Sequence, residues 1–160
     1  MVLRNALMAA ALAAGGLVLG SCSHEHAGLE PGFGLFFNDQ GPTVSLAYGK
    51  ANSDDVALML QCKKGSGQVD VSDVARGGSA PRLILASSGR RTELQTHLQS
   101  GESDAPRLLV ARAGVSADAL KGFRHSGRIE VSYGAVRYGL KASRDERAGV
   151  ERFFSACDQS

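Results

Sequence analysis

A mainly β fold, α+β at its C-terminus, is what this sequence of 160 residues predicts. The expected architecture is an antiparallel β-sandwich or partly open barrel of about seven to nine short strands. A short helix near residues 116–123 and a C-terminal helix near 144–157, packed on the sheet, complete it. Three observations carry this reading. Short apolar runs recur about every ten residues between turn residues, the spacing of a sandwich or barrel. Several of them alternate apolar and polar, as half-buried strands do. The final segment changes to helical spacing, with Val150, Phe153, Phe154 and Cys157 on one stripe.

The strands follow in order from Phe33. Leu35-Phe36-Phe37 leads into a turn cluster, Asn38-Asp39-Gln40-Gly41-Pro42, and Val44, Leu46 and Tyr48 then alternate within Thr43–Tyr48. Lys50 to Asp54 is polar and turn-like, whereas Val56 to Cys62 is almost continuously apolar and suits a central strand. After a turn at 63–67, Val69, Val71 and Val74 resume the alternation. Leu83-Ile84-Leu85 and the polar stretch Arg90–His97, with Leu94 inside it, flank Ser87-Ser88-Gly89, which reads as a hairpin turn. A loop from Gln99 to Ala105 precedes Leu108-Leu109-Val110.

The last third mixes elements. Ser116 caps a short helix that closes at Ser126-Gly127. Ile129, Val131 and Tyr133 alternate on one strand and Val136, Tyr138 and Leu140 on the next, with Gly134 in the turn between them. Ser143 with Glu146 three residues on forms a capping box for the last helix, whose Cys157 is expected beside the strand ending at Cys62. Lys63 and Lys64, just past that strand, would then face the negative end of the helix dipole.

The N-terminus is of another kind. Arg4 followed by the apolar stretch Ala6–Leu19, with no acid before Glu25, has the charged and hydrophobic regions of a signal peptide. It is too short and too broken by glycine for a membrane span, which needs roughly 20 apolar residues. Leu19-Gly20-Ser21-Cys22 resembles a bacterial lipobox. That resemblance implies removal of residues 1–21 and lipidation at Cys22; the polar, aperiodic stretch to Pro31-Gly32 reads as a flexible tether over 22–32 ahead of one domain at 33–160. Each buried methylene of such an anchor is worth about 0.8 kcal/mol, so two or three acyl chains hold it permanently. Secretion with a free Cys22 is the alternative. Ser23, where an Asp would resemble an inner-membrane retention signal, leans to the outer membrane. Once lipid takes Cys22, Cys62 and Cys157 remain as a pair, and an oxidising compartment favours a disulfide worth on the order of 4 kcal/mol. Two separately buried thiols are the other possibility.

Cleavage would remove one base and no acid, lowering the net charge from +2 to +1. A near-neutral chain argues against nucleic acid as a partner. The segments Ala119–Phe123, Gly127–Val131 and Tyr138–Ala142 resemble the C-terminal part of invasion-associated locus B-like periplasmic proteins. Leu46–Gly49, Asn52-Ser53-Asp54 and Phe153–Cys157 resemble uncharacterised exported proteins of alphaproteobacteria. Such families imply a β-rich envelope protein without a known catalytic centre.

Catalytic motifs are correspondingly thin. Gly77-Gly78-Ser79-Ala80-Pro81 misses the nucleophile elbow at its last position. A serine triad would need His97 or His125, with Asp54, Asp70, Asp104 or Asp118 as orienter. Cys62 and Cys157 lack redox-motif spacing. His24-Glu25-His26 could chelate zinc or copper, but a third fixed ligand is wanting, so no metal or other cofactor is expected. The resulting expectation is a lipid-anchored, non-catalytic binding or structural protein on the periplasmic side of the outer membrane, with an envelope protein or glycan as partner. Two alternatives stand beside it. One is an inhibitor of a lysozyme-type hydrolase, inserting Arg90 and Arg91 from the 87–91 loop into an acidic cleft. The other is a small periplasmic hydrolase using His97 or His125.

Overall fold

The computed structural model describes residues 31–76, 80–100 and 106–158. The strands are β1 (Phe33–Gln40), β2 (Thr43–Lys50), β3 (Val56–Lys63), β4 (Gln68–Val74), β5 (Arg82–Ser87), β6 (Arg90–Gln99), β7 (Leu108–Gly114), β8 (Arg128–Tyr133) and β9 (Val136–Lys141). Helix α1 (Asp118–Ser126) joins β7 to β8, and α2 (Arg147–Cys157) ends the fold. All nine strands share one antiparallel sheet in the order β1-β2-β3-β4-β7-β6-β5-β8-β9, curled into a half-barrel. Of the two β architectures expected, the partly open barrel is the one formed. Strand β7 returns to lie beside β4, so the β5–β6 hairpin is carried outward in a Greek-key arrangement.

Alternation decides which face is filled. Val44, Leu46 and Tyr48, then Leu58, Leu60 and Cys62, then Val69 and Val71 point to the same side and are buried. The helices lay their own apolar stripes there: Leu120 and Phe123 from α1, and Val150, Phe153, Phe154 and Cys157 from α2. Phe154 meets Phe123 and Phe153 edge to face, with ring centroids 6.0 and 5.3 Å apart. Among the described residues no helix is long and apolar enough to cross a membrane.

Several local expectations are corrected. The turn expected over 38–42 shrinks to Gly41-Pro42, because Gly41 takes φ +71° and lets Gln40 pair directly with Thr43. Asn38, Asp39 and Gln40 are therefore strand residues on an exposed edge, where their side chains stay in water. Val74 leaves the inward row; Asp73 takes that place and is buried. Ser116 does not cap α1: Ala117 occupies the cap position, and Thr92 of β6 accepts the Ala119 N–H at 3.0 Å instead. The α1 helix does end at Gly127, which is left-handed (φ +66°) and donates its N–H to the Phe123 carbonyl at 2.7 Å.

The capping box forms, with Ser143 N–H on Glu146 Oε2 at 2.6 Å and Glu146 N–H on Ser143 Oγ at 3.3 Å. Regular helix begins only at Arg147, because residues 144–146 make a turn. Glu146 Oε1 accepts the N–H of Leu35 on edge strand β1 at 2.8 Å, so one carboxylate joins the helix start to the first strand. At the other end, Gly65 and Gly67 donate N–H groups to the Ala156 and Cys157 carbonyls, both at 2.9 Å. Those bonds cap α2; Lys64 turns away to Asp39, 2.8 Å off.

Candidate functional site

The outward face of the sheet carries a groove of about 730 Å³ over β4, β7 and β6, within the range of small-ligand sites, about 300–1,000 Å³. Register builds it. Ser72, Val110 and His97 stand in one row across three strands, and Gln61, Asp70 and Arg112 form the next. Neighbouring strands lie about 4.8 Å apart, and alternate residues along a strand about 7 Å. Gln95 and Gln99 continue the outward positions of β6 on either side of His97. Val110 supplies an apolar floor.

Charge inside the groove is answered locally. Arg112 Nε bonds Asp70 Oδ1 at 2.6 Å, and that hydrogen bond and charge raise the Arg112 pKa. Glu93 faces Arg82 at 2.5 Å and Arg91 at 3.8 Å. By contrast, no hydrogen bond from another described residue engages the side chains of Gln61, Ser72, Gln95, His97 or Gln99. Five polar side chains thus stand on rigid, paired strands with their bonding capacity free.

The inward face holds the other polar cluster. Asp73, 1% exposed, lies at the end of β4 inside the curl. Tyr133, closing β8, donates to Asp73 Oδ1 at 2.8 Å, and Tyr138 of edge strand β9 donates to Oδ2. The Tyr133 hydroxyl also lies 2.9 Å from the Val74 carbonyl and accepts the Arg76 N–H at 3.4 Å. The Arg76 guanidinium sits over the Tyr138 ring, 5.1 Å from its centroid. Burial raises the Asp73 pKa against the two phenol hydrogen bonds and the Arg76 charge. Tyr133 is pushed up to about 12, first by burial and then by the Asp73 charge; Tyr138 is raised for the same reasons. In the sheet order β4 and β9 are far apart, so these bonds clasp the half-barrel across its interior. A carboxylate so enclosed meets no substrate.

Sequence reasoning missed Asp73 because it read Val69, Val71 and Val74 as the strand's apolar face. Strict parity was the signal: residues 69, 71 and 73 share a side. Arg124 was missed too. From α1 it bonds Glu151 at 2.5 Å and Asp158 at 2.8 Å, locking the two helices together. The Glu151 and Asp158 hydrogen bonds raise its pKa, and Arg124 in turn lowers that of Glu151.

The expected site residues fall as follows. Cys62 and Cys157 meet as a disulfide-capable pair, their Cα atoms 5.9 Å apart, joining β3 to the end of α2. His97 is exposed in the groove and His125 is exposed in the last turn of α1. Among the described residues neither imidazole bonds a serine or an aspartate, and Asp70 is engaged by Arg112. Asp118 lies in the first turn of α1. Arg90 and Arg91 do not project from a loop: they begin β6, behind the two-residue turn Ser88-Gly89, whose φ values are +51° and +75°. The strands' right-handed twist favours such a turn, and it leaves nothing long enough to probe a cleft. Cys22, His24, His26, Ser79 and Asp104 lie outside the described residues. Among the described residues no group of three His, Cys, Asp or Glu side chains could hold a metal ion.

No protein-family model matches the chain, and no curated protein or solved structure is significantly similar to it. The groove offers amide, hydroxyl and imidazole groups beside the Asp70–Arg112 and Glu93–Arg82 ion pairs, and among the described residues no nucleophile in it bonds a neighbouring base.

Proposed function

We propose that this protein is a lipid-anchored, non-catalytic envelope protein that holds another envelope component against the outer face of its sheet. The observation that carries the reading is the groove over β4, β7 and β6, where five polar side chains make no hydrogen bond to another described residue. A bound partner would exchange their water for direct hydrogen bonds. Gln61 and Ser72 stand on strands paired on both sides, which fixes that part of the lining and lowers the reorganisation cost of binding.

The anchor is Cys22, acylated after removal of residues 1–21, and the domain stands on the periplasmic side of the outer membrane. A tether of ten residues, 23–32, lets it reach up to about 35 Å from the lipid. The Cys62–Cys157 pair supports an oxidising compartment. Cells fed labelled palmitate test the anchor: the wild-type chain takes up label and sediments with membranes, and Cys22→Ala does neither. Equal release of both proteins into the soluble fraction would remove the lipid from this reading. Pull-down of the lipidated chain from cross-linked envelopes tests the holding role, which fails if nothing is retained above a tag-only control.

A further inference from the structure

We propose that the free edge of β9 takes an extended segment of another protein, one with acids four residues apart, as a further strand. The site lies at the end of the sheet, apart from the groove. Backbone parity opens it. Ala142 donates its N–H to the Gly127 carbonyl at 2.7 Å, so that residue faces β8. Antiparallel strands alternate, hence the N–H and C=O groups of Tyr138 and Leu140 also serve β8, whereas those of Arg137, Gly139 and Lys141 point out from the sheet. Among the described residues nothing bonds these outward groups. The opposite edge is closed: Glu146 takes the Leu35 N–H at 2.8 Å, and the Arg152 guanidinium lies over the Phe37 ring, 4.7 Å from its centroid. An open strand edge offers matched donors and acceptors to a peptide backbone, the basis of docking by strand addition.

Side chains select what is added. Arg137 and Lys141 guard the edge against a second copy, because self-pairing centred on Gly139 would set cation against cation. Guarding does not account for Arg128, one strand in, which stands directly opposite Lys141. Like charges so placed cost stability. Glu130 is the one acid on β8 and β9, so the corner keeps an excess of positive charge. Gly139 is equally unexplained from within. Its φ is not positive and a Cβ there would meet nothing closer than Glu130 Cγ, 3.8 Å away, so neither strain nor crowding demands glycine in a strand it weakens. Such a glycine marks close approach by another backbone. A hollow of about 470 Å³ lies over it, lined in part by Ala86, Arg128 and Lys141. A strand paired with β9 sets the residues opposite Arg137, Gly139 and Lys141 on this same outer face, about 14 Å from first to last. Acids at the two ends meet the cations, and a large side chain between them fills the hollow. This sequence nowhere carries two acids four residues apart, so the segment is not one of its own.

The test is fluorescence anisotropy and NMR amide exchange on the full-length protein in detergent. The probe is a labelled heptapeptide of threonine with glutamate at its second and sixth places and tyrosine at its fourth. Controls are its glutamine analogue and a peptide with the second glutamate moved to the fifth place, on the other face of a strand. The probe should bind at least about tenfold more tightly than either control. It should slow amide exchange at Arg137, Gly139 and Lys141 but not at Leu140, whose N–H is already paired. The double variant Arg137→Gln, Lys141→Gln should weaken binding about tenfold, the worth of two surface ion pairs. Gly139→Pro removes one edge donor without touching a β8–β9 bond and should weaken it as well. No binding at millimolar probe, equal binding of all three peptides, or protection without the alternation would overturn the proposal. So would binding that falls with His97→Ala, Gln99→Ala and ignores the charge variant; that result would place the peptide in the groove and keep the holding role there.

Discussion

Asp73 is a buried acid held by two phenols, and its environment makes a signed prediction about pH. In the unfolded chain its carboxyl titrates near about 3.9; burial raises it in the folded state. The folded state therefore holds that proton more tightly. The group's contribution is fully present below about pH 4 and is lost as pH rises through the raised folded pKa. Urea midpoints of the wild type minus those of Asp73→Asn, followed from pH 4 to 7, should fall with rising pH. A flat or rising difference would show that Asp73 is not perturbed this way. Tyr138→Phe leaves Asp73 Oδ2 without its donor and should cost about 1–3 kcal/mol. Gly49 is a second residue with little latitude. A Cβ there would clash with the Asp55 carbonyl, which closes the β2–β3 connection.

At the scale of elements, α2 packs on β1 and β2 and so covers one end of the open barrel. Its Phe153 is fully buried against the sheet, and Phe153→Ala should lower stability by about 3–5 kcal/mol. Glu146→Ala breaks the capping box and frees the Leu35 N–H together. It should cost about 1–2 kcal/mol and speed amide exchange at Leu35 more than in β3. Exchange speeded equally in both strands, or unchanged at Leu35, would deny the link. This helix was legible in sequence because its stripe and its capping box are local signals. The β hairpins were legible through parity and through Gly41, Ser88-Gly89 and Gly134. What escaped depends on partners far along the chain. Ala117 lacks a capping side chain, and Thr92 supplies the acceptor from another element. Asp73 looks like a surface acid until Tyr133 and Tyr138 arrive from strands 60 and 65 residues away. The groove escaped for the same reason: Gln61, Ser72 and His97 meet only once β7 returns beside β4 and brings β6 with it.

For the whole molecule, the Cys62–Cys157 pair spans 95 residues and ties interior strand β3 to the last residue of α2. Replacing both cysteines by serine should remove about 2–5 kcal/mol, read as a lower urea midpoint that reductant no longer shifts. The molecule then divides its labour by face. Helices, aromatic core and Asp73 clasp occupy the inside, while the outside of β4, β7 and β6 keeps its polar groups uncommitted. The most direct measurement of that division is photo-cross-linking in intact envelopes, with the reactive residue at position 99 in the groove or at position 121 on α1. A holding function requires a discrete adduct from position 99 that is absent from position 121. Equal labelling from both positions, or none from position 99, would contradict it.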